Sequence, residues 1–192
     1  PGDAMISRDP RLDSDYCPSV SLMLLTADED ALTDHIETLP ASGWTAGHIG
    51  LQWAYYTISY DWANYMPAGS KPGDHTNEDT HISKYIILMT DGQFNTAYAD
   101  VQKYGSSWKA GKQKTNSQNF TDDLCAVIKN DDIKIFTIGF QLTNSSAISM
   151  LKDCATPDVG ELTFHYEPDT AAELEDTYKQ IAQTIQSLVL IQ

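Results

Sequence analysis

The sequence predicts an α/β fold: a mostly parallel sheet flanked by helices. Two unbroken apolar runs, "KYIILMT" (Lys84–Thr90) and "DIKIFTIGF" (Asp132–Phe140), read as strands buried on both faces. Segments with helical spacing of apolar residues alternate with them, and no internal repeat or low-complexity tract intervenes. At 192 residues the chain suits one domain spanning residues 1–192, long enough to bury a substantial core.

Residues 1–18 read as an irregular amino-terminal segment. "SVSLMLLT" (Ser19–Thr26) is expected to be a strand that leads into a helix. Thr26 and Glu29 have capping-box spacing, Leu32, Ile36 and Leu39 follow at helical intervals, and Pro40 and Gly43 end the helix. "TAGHIGLQWAYYTIS" (Thr45–Ser59) is a second helix with Ile49, Trp53 and Tyr56 on one face, expected to pack. Gly47 and Gly50 weaken it unless a close backbone approach requires them.

Residues 61–80 form a polar loop before the "KYIILMT" strand, and residues 95–119 read as a second surface excursion. "TDDLCAVIKN" is a short helix capped by Thr121, followed by the "DIKIFTIGF" strand. "SSAISMLKDC" (Ser145–Cys154) is a helix and "ELTFHYE" (Glu161–Glu167) a short strand. The last helix begins near Pro168 and aligns Leu174, Tyr178, Ile181, Ile185 and Leu188 along one stripe.

Charge narrows the partners. Twelve basic against 27 acidic residues give −15, a field that repels phosphates and argues against nucleic acid. It is compatible with cations or basic protein surfaces, but is read first as a route to solubility. No run of about 18 apolar residues is present to span a bilayer. The first fifteen residues lack a basic n-region and an apolar h-region, so any targeting element is expected outside this chain.

Three cysteines are too few for a disulfide scaffold. Cys125 and Cys154 are disulfide candidates, and a bridge would close a loop of roughly 30 residues, contributing about 3.5 kcal/mol. Two unpaired buried thiols are the alternative reading. Cys17 has no obvious partner here and would pair with something outside this chain in an oxidising compartment.

Two short elements bear on function: "SGWTAGH", with Thr45 at a helix start, and "LMTDG", with Asp91 at a strand end. Ligands of open α/β sheets bind at such carboxyl ends. Together these elements resemble those of a von Willebrand factor type A domain. That family's metal-ion-dependent adhesion site combines D-x-S-x-S, a G-x-T loop and a T-D-G turn. Gly43-Trp44-Thr45 matches the second and Thr90-Asp91-Gly92 the third. More narrowly, the ordered set from about Cys17 onward is similar to the carboxyl-terminal part of TadG-like proteins of Flp/Tad-type pilus assembly.

The resemblance implies a non-enzymatic protein-binding module of the bacterial envelope, periplasmic or at the cell surface. It implies an ion, Mg²⁺ or else Ca²⁺ or Mn²⁺, held by Thr45 and Asp91. Trp44, Thr90, Gly92 and Gln93 would then face a protein partner such as a pilus or envelope component. A hard cation suits these oxygens and retains positions for a partner carboxylate.

The first motif is absent: "DSD" at Asp13–Asp15 is not D-x-S-x-S, and no apolar strand precedes it. The resemblance places that motif on the central strand, so the first strand and its helix are expected in a further segment or second polypeptide, to which Cys17 would be the link. Membrane anchoring would lie there too.

Two rivals stand beside this reading. A metal-dependent hydrolase could use Asp91, although no Ser/His/Asp set, G-x-S-x-G or phosphate-binding glycine loop accompanies it. A structural module would use Thr45 as a helix cap and Asp91 as a turn residue. "GDHTNEDTH" places His75 and His81 among acids but matches no standard ligand spacing. Trp62, Tyr65 and Met66 read equally as loop packing or as a partner surface beside Thr45.

Overall fold

A computed structural model describes residues 20–40, 45–97 and 110–191. Within them the chain forms α1 (Glu29–Glu37), α2 (Gly47–Ile58), β1 (Tyr85–Thr90), α3 (Ala110–Asn130), β2 (Lys134–Gly139), α4 (Ser145–Cys154), β3 (His165–Tyr166) and α5 (Ala171–Ile191). The three strands make one sheet in the order β1-β2-β3. Both pairings are parallel, with Tyr85 opposite Lys134, Thr90 opposite Gly139 and Thr137 opposite His165. All strand carboxyl ends therefore share one rim.

Alternation along the strands divides the core into two layers. Ile86 and Ile135 point to one face, where they pack with Leu51 of α2, Cys125 and Ile128 of α3, and Cys154 of α4. Phe136 and Ile138 point to the other, against Phe164 and Ile181, with Leu174, Ile185 and Leu188 of α5 packed around them. Phe136 and Phe164 stack with ring centroids 4.8 Å apart. A disulfide joins Cys125 to Cys154 and so ties α3 to α4 inside the first layer.

Several expectations are corrected. Residues 20–28 contain no strand; an apolar run becomes a strand only when a neighbour accepts its backbone hydrogen bonds. The cap of α1 is Asp28, which accepts from Ala31 N at 3.0 Å, while Thr26 Oγ1 instead accepts from Asp28 N at 3.1 Å. No residue of α1 is buried, and Ile36 is 64 % exposed.

The second polar stretch is partly helical, because α3 begins at Ala110; residues 98–109 lie outside the described set. Thr121 is not a cap but a buried mid-helix residue whose hydroxyl donates to Ser117 O at 2.8 Å. The packed face of α2 is His48, Leu51 and Thr57, not Trp53 and Tyr56.

The "KYIILMT" strand is buried on only one side of its length. Lys134 N donates to Lys84 O at 3.1 Å and Phe140 N to Thr90 O at 2.9 Å, so even-numbered residues turn their backbone groups toward β2. The N–H and C=O groups of Tyr85, Ile87 and Met89 consequently face outward. Among the described residues no strand lies on that edge, and Ile87 and Met89 are 41 % and 38 % exposed. An uncovered apolar edge of this kind is a template for strand addition.

Candidate functional site

The candidate site lies on the carboxyl rim, where β1 runs into Thr90-Asp91-Gly92. Thr90 is buried, and its hydroxyl donates to Gly92 O at 3.0 Å while accepting from Gly92 N at 3.2 Å. This closed turn leaves Asp91 exposed. Gly92 and Gln93 are half-buried, and Phe94 drives the chain back into the core.

Asn95 then clasps the second loop. Its side-chain Oδ1 accepts from Thr45 N at 2.9 Å and from Thr96 Oγ1 at 3.1 Å. The backbone N–H groups of Asn95 and Thr96 both donate to Thr45 O, at 3.0 and 3.3 Å. The loop that carries Thr45 and the segment that follows Asp91 are thus held side by side. The sequence alone does not single out Phe94 or Asn95, which stand two and three residues after the T-D-G turn.

The helix cap does not use Thr45. The N-cap of α2 is Ala46, without a side-chain hydrogen bond. Thr45 is half-buried, and among the described residues neither its hydroxyl nor the Asp91 carboxylate has a hydrogen-bonding or ionic partner. Trp44 and Gly43 lie outside the described residues, as does Cys17.

As a donor set, the two clasped loops offer the Asp91 carboxylate and the Thr45 hydroxyl. No group of three or more His, Cys, Asp or Glu side chains that could hold a metal occurs among the described residues. His75 turns away from such a role: its Nε2 donates to the Asp131 carbonyl at 2.6 Å. A divalent ion held by Thr45 and Asp91 needs its remaining oxygens from water or from another segment.

Behind the rim a polar network locks the loops. Ala97 N donates to Gln113 Oε1 at 3.0 Å, and His48 Nδ1 lies 2.9 Å from Ser117 Oγ. Both members of this Ser/His pair are buried between α2 and α3. On β3, His165 Nδ1 lies 2.7 Å from Thr137 Oγ1 and its Nε2 lies 3.2 Å from Glu167.

Burial pushes both His48 and His165 below the usual histidine value of 6.5; a bond to the Ala97 backbone and Glu167, respectively, oppose the shift. The unfolded chain therefore binds protons more readily at these two sites. Their contribution is complete above pH 6.5 and is lost as pH falls from 6.5 through the lowered folded values. The urea midpoint should decline from pH 7.5 to 5.5, about the window of these groups, and a His48→Gln/His165→Gln variant should flatten that slope. An identical slope in the variant would rule out these histidines as its source.

No protein-family model, curated protein or solved structure matches this chain. What fold and site define is a mixed α/β protein whose small parallel sheet, flanked by helices, carries two clasped loops on its carboxyl rim.

Proposed function

We propose that this chain is a von Willebrand A-like, non-enzymatic protein-binding module of the bacterial envelope, of the TadG-like kind, acting in pilus or envelope assembly. It docks partners through a divalent ion, Mg²⁺ or a similar hard cation, with Asp91 as charged ligand and Thr45 as direct or water-linked ligand. One observation carries the reading: the Thr45 hydroxyl and the Asp91 carboxylate, without a partner among the described residues, stand on adjacent loops clasped by Asn95. A carboxylate from the partner takes an open ion position, against a surface that includes Gly92 and Gln93, while buried Thr90 shapes the turn beneath them.

Two further features support the setting. The Cys125–Cys154 bridge suits an oxidising compartment such as the periplasm or cell surface. The open edge of β1 suits an added strand, which would bring the missing acidic and hydroxyl ligands to the same rim. No described helix is long and apolar enough to cross a membrane.

Paramagnetic broadening by Mn²⁺ tests the site without knowledge of the partner. Backbone NMR signals around residues 45 and 91–95 should broaden selectively at about 1 mM Mn²⁺, the range of weak extracellular sites. Asp91→Ala should weaken this at least about tenfold, because it removes the charged member of the proposed ligand pair. Broadening that is unchanged in Asp91→Ala, or absent around these loops, would leave the structural reading in its place.

A further inference from the structure

The carboxyl end of α2 lies at the opposite rim from Asp91. The Tyr55 hydroxyl donates to Asp131 Oδ2 at 3.4 Å, and Asp131 lies in the turn between α3 and β2, at the amino end of the sheet. There α2 passes into a short 3-10 turn, Tyr60–Tyr65, and four aromatic rings form a continuous ridge. Trp53 meets Tyr56 edge-on at 5.7 Å, Tyr56 stacks on Trp62 at 3.9 Å, and Trp62 tilts against Tyr65 at 5.5 Å.

The ridge is held in place yet uncovered. Gln52 donates to the Tyr56 hydroxyl, Met66 N donates to Ala63 O at 3.3 Å, and Ala63 is buried beneath the turn. Even so, Trp53 is 47 % exposed and Tyr65 79 %. Aromatic side chains preorganised in this way lose little entropy when a partner covers them, which makes them effective contact anchors.

Charge selects the occupant. Exposed Asp61 sits between Tyr60 and Trp62, and its field reaches Tyr55 and Lys84 together with that of Asp131. The amine of Lys84 is itself buried without a hydrogen-bond partner among the described residues, so it offers no surface cation to a visiting ligand. Ring faces are electron-rich, and the whole chain carries −15. A planar guanidinium can stack on Trp or Tyr while its N–H groups bond Asp61; an ammonium makes only the point-charge contact.

We infer that the Trp53–Tyr56–Trp62–Tyr65 ridge with Asp61 is a docking surface for an arginine-bearing basic segment of a partner protein. It is separate from the Thr45/Asp91 rim and holds whether or not that rim binds an ion.

Calorimetric titration of the chain with a capped peptide of alternating arginine and glycine, at about 0.15 M ionic strength, tests this. Binding should saturate, and Trp53→Ala/Tyr65→Ala should weaken it by about tenfold or more, the scale of a lost cation–π contact. Asp61→Asn should weaken it less, and the citrulline equivalent, which is uncharged, should not bind. Tyr65→Ala alone, at the most exposed ring, serves if the double variant loses its fold by circular dichroism. The proposal fails if the ring variants bind as tightly as the native chain, which would indicate general attraction to an acidic protein. It fails equally if the citrulline peptide or a neutral oligosaccharide binds in place of the arginine peptide.

Discussion

Reducing the Cys125–Cys154 bridge should lower the unfolding free energy by about 3.5 kcal/mol, the largest single loss expected in this molecule. The two cysteines are 29 residues apart, and the loop they close contains all of β2. Opening it restores that loop's freedom to the unfolded chain. Within the fold, α4 would keep the bond from Thr137 Oγ1 to Leu151 O at 3.0 Å and those from Lys129 Nζ to Asp153 O and Ala155 O at 2.7 and 3.3 Å. These bonds hold the native position but do nothing to restrict the unfolded state. With a urea dependence of about 2 kcal/mol per molar, the midpoint should fall by roughly 1.5–2 M between oxidised and reduced protein. Cys125→Ala/Cys154→Ala should behave as the reduced form does or somewhat worse, since it also removes two buried sulfurs. Coincident urea curves with and without reductant would show that the bridge contributes nothing.

How much of this was legible in the sequence depends on what each element buries. β1, β2 and α4 follow directly from their patterns: two runs rich in β-branched residues, and an amphipathic decamer. The first half of α3 was hidden because its inward face is polar. Gln113, Ser117 and Thr121 are buried there and satisfied by Ala97 N, His48 and the Ser117 carbonyl, so no apolar stripe marks the helix. The segment at residues 20–26 misleads for the converse reason. Its composition favours a strand, but strand structure resides in pairing, and nothing described pairs with it. On α2 the large rings drew the packed face to Trp53 and Tyr56, whereas the sheet takes Leu51 and the half-buried Ile58. The rim was half legible. Thr45 and Asp91 stand out as a threonine at a helix start and an aspartate at a strand end; the Asn95 clasp needs a contact across fifty residues, which spacing alone does not reveal.

Gly47→Ala should destabilise the fold by about 1–3 kcal/mol although alanine is the better helix former. A Cβ built on Gly47 would stand 2.0 Å from Phe94 Cζ and 2.2 and 2.3 Å from its two Cε atoms. The ring has no room to retreat, since Phe94 is buried and packs with Met150, Leu151, Leu88 and Leu142. Gly50 is the internal control: nothing lies within 4 Å of its added Cβ, so Gly50→Ala should gain roughly 0.5–1 kcal/mol. Opposite signs for the same chemical change, three residues apart on one helix, separate close packing from helix propensity. The consequence should also reach the rim. Phe94 lies between the Thr90-Asp91-Gly92 turn and Asn95, so a displaced ring pulls on the clasp that holds Thr45. Gly47→Ala should therefore weaken Mn²⁺ broadening around residues 45 and 91–95, while Gly50→Ala leaves it unchanged. Pairing Gly47→Ala with Phe94→Leu should cost less than the sum of the two single changes, because the smaller side chain relieves the collision. Urea denaturation of the four proteins decides the matter: a Gly47→Ala chain as stable as the native one, or strictly additive losses, would mean that Gly47 and Phe94 do not share this contact.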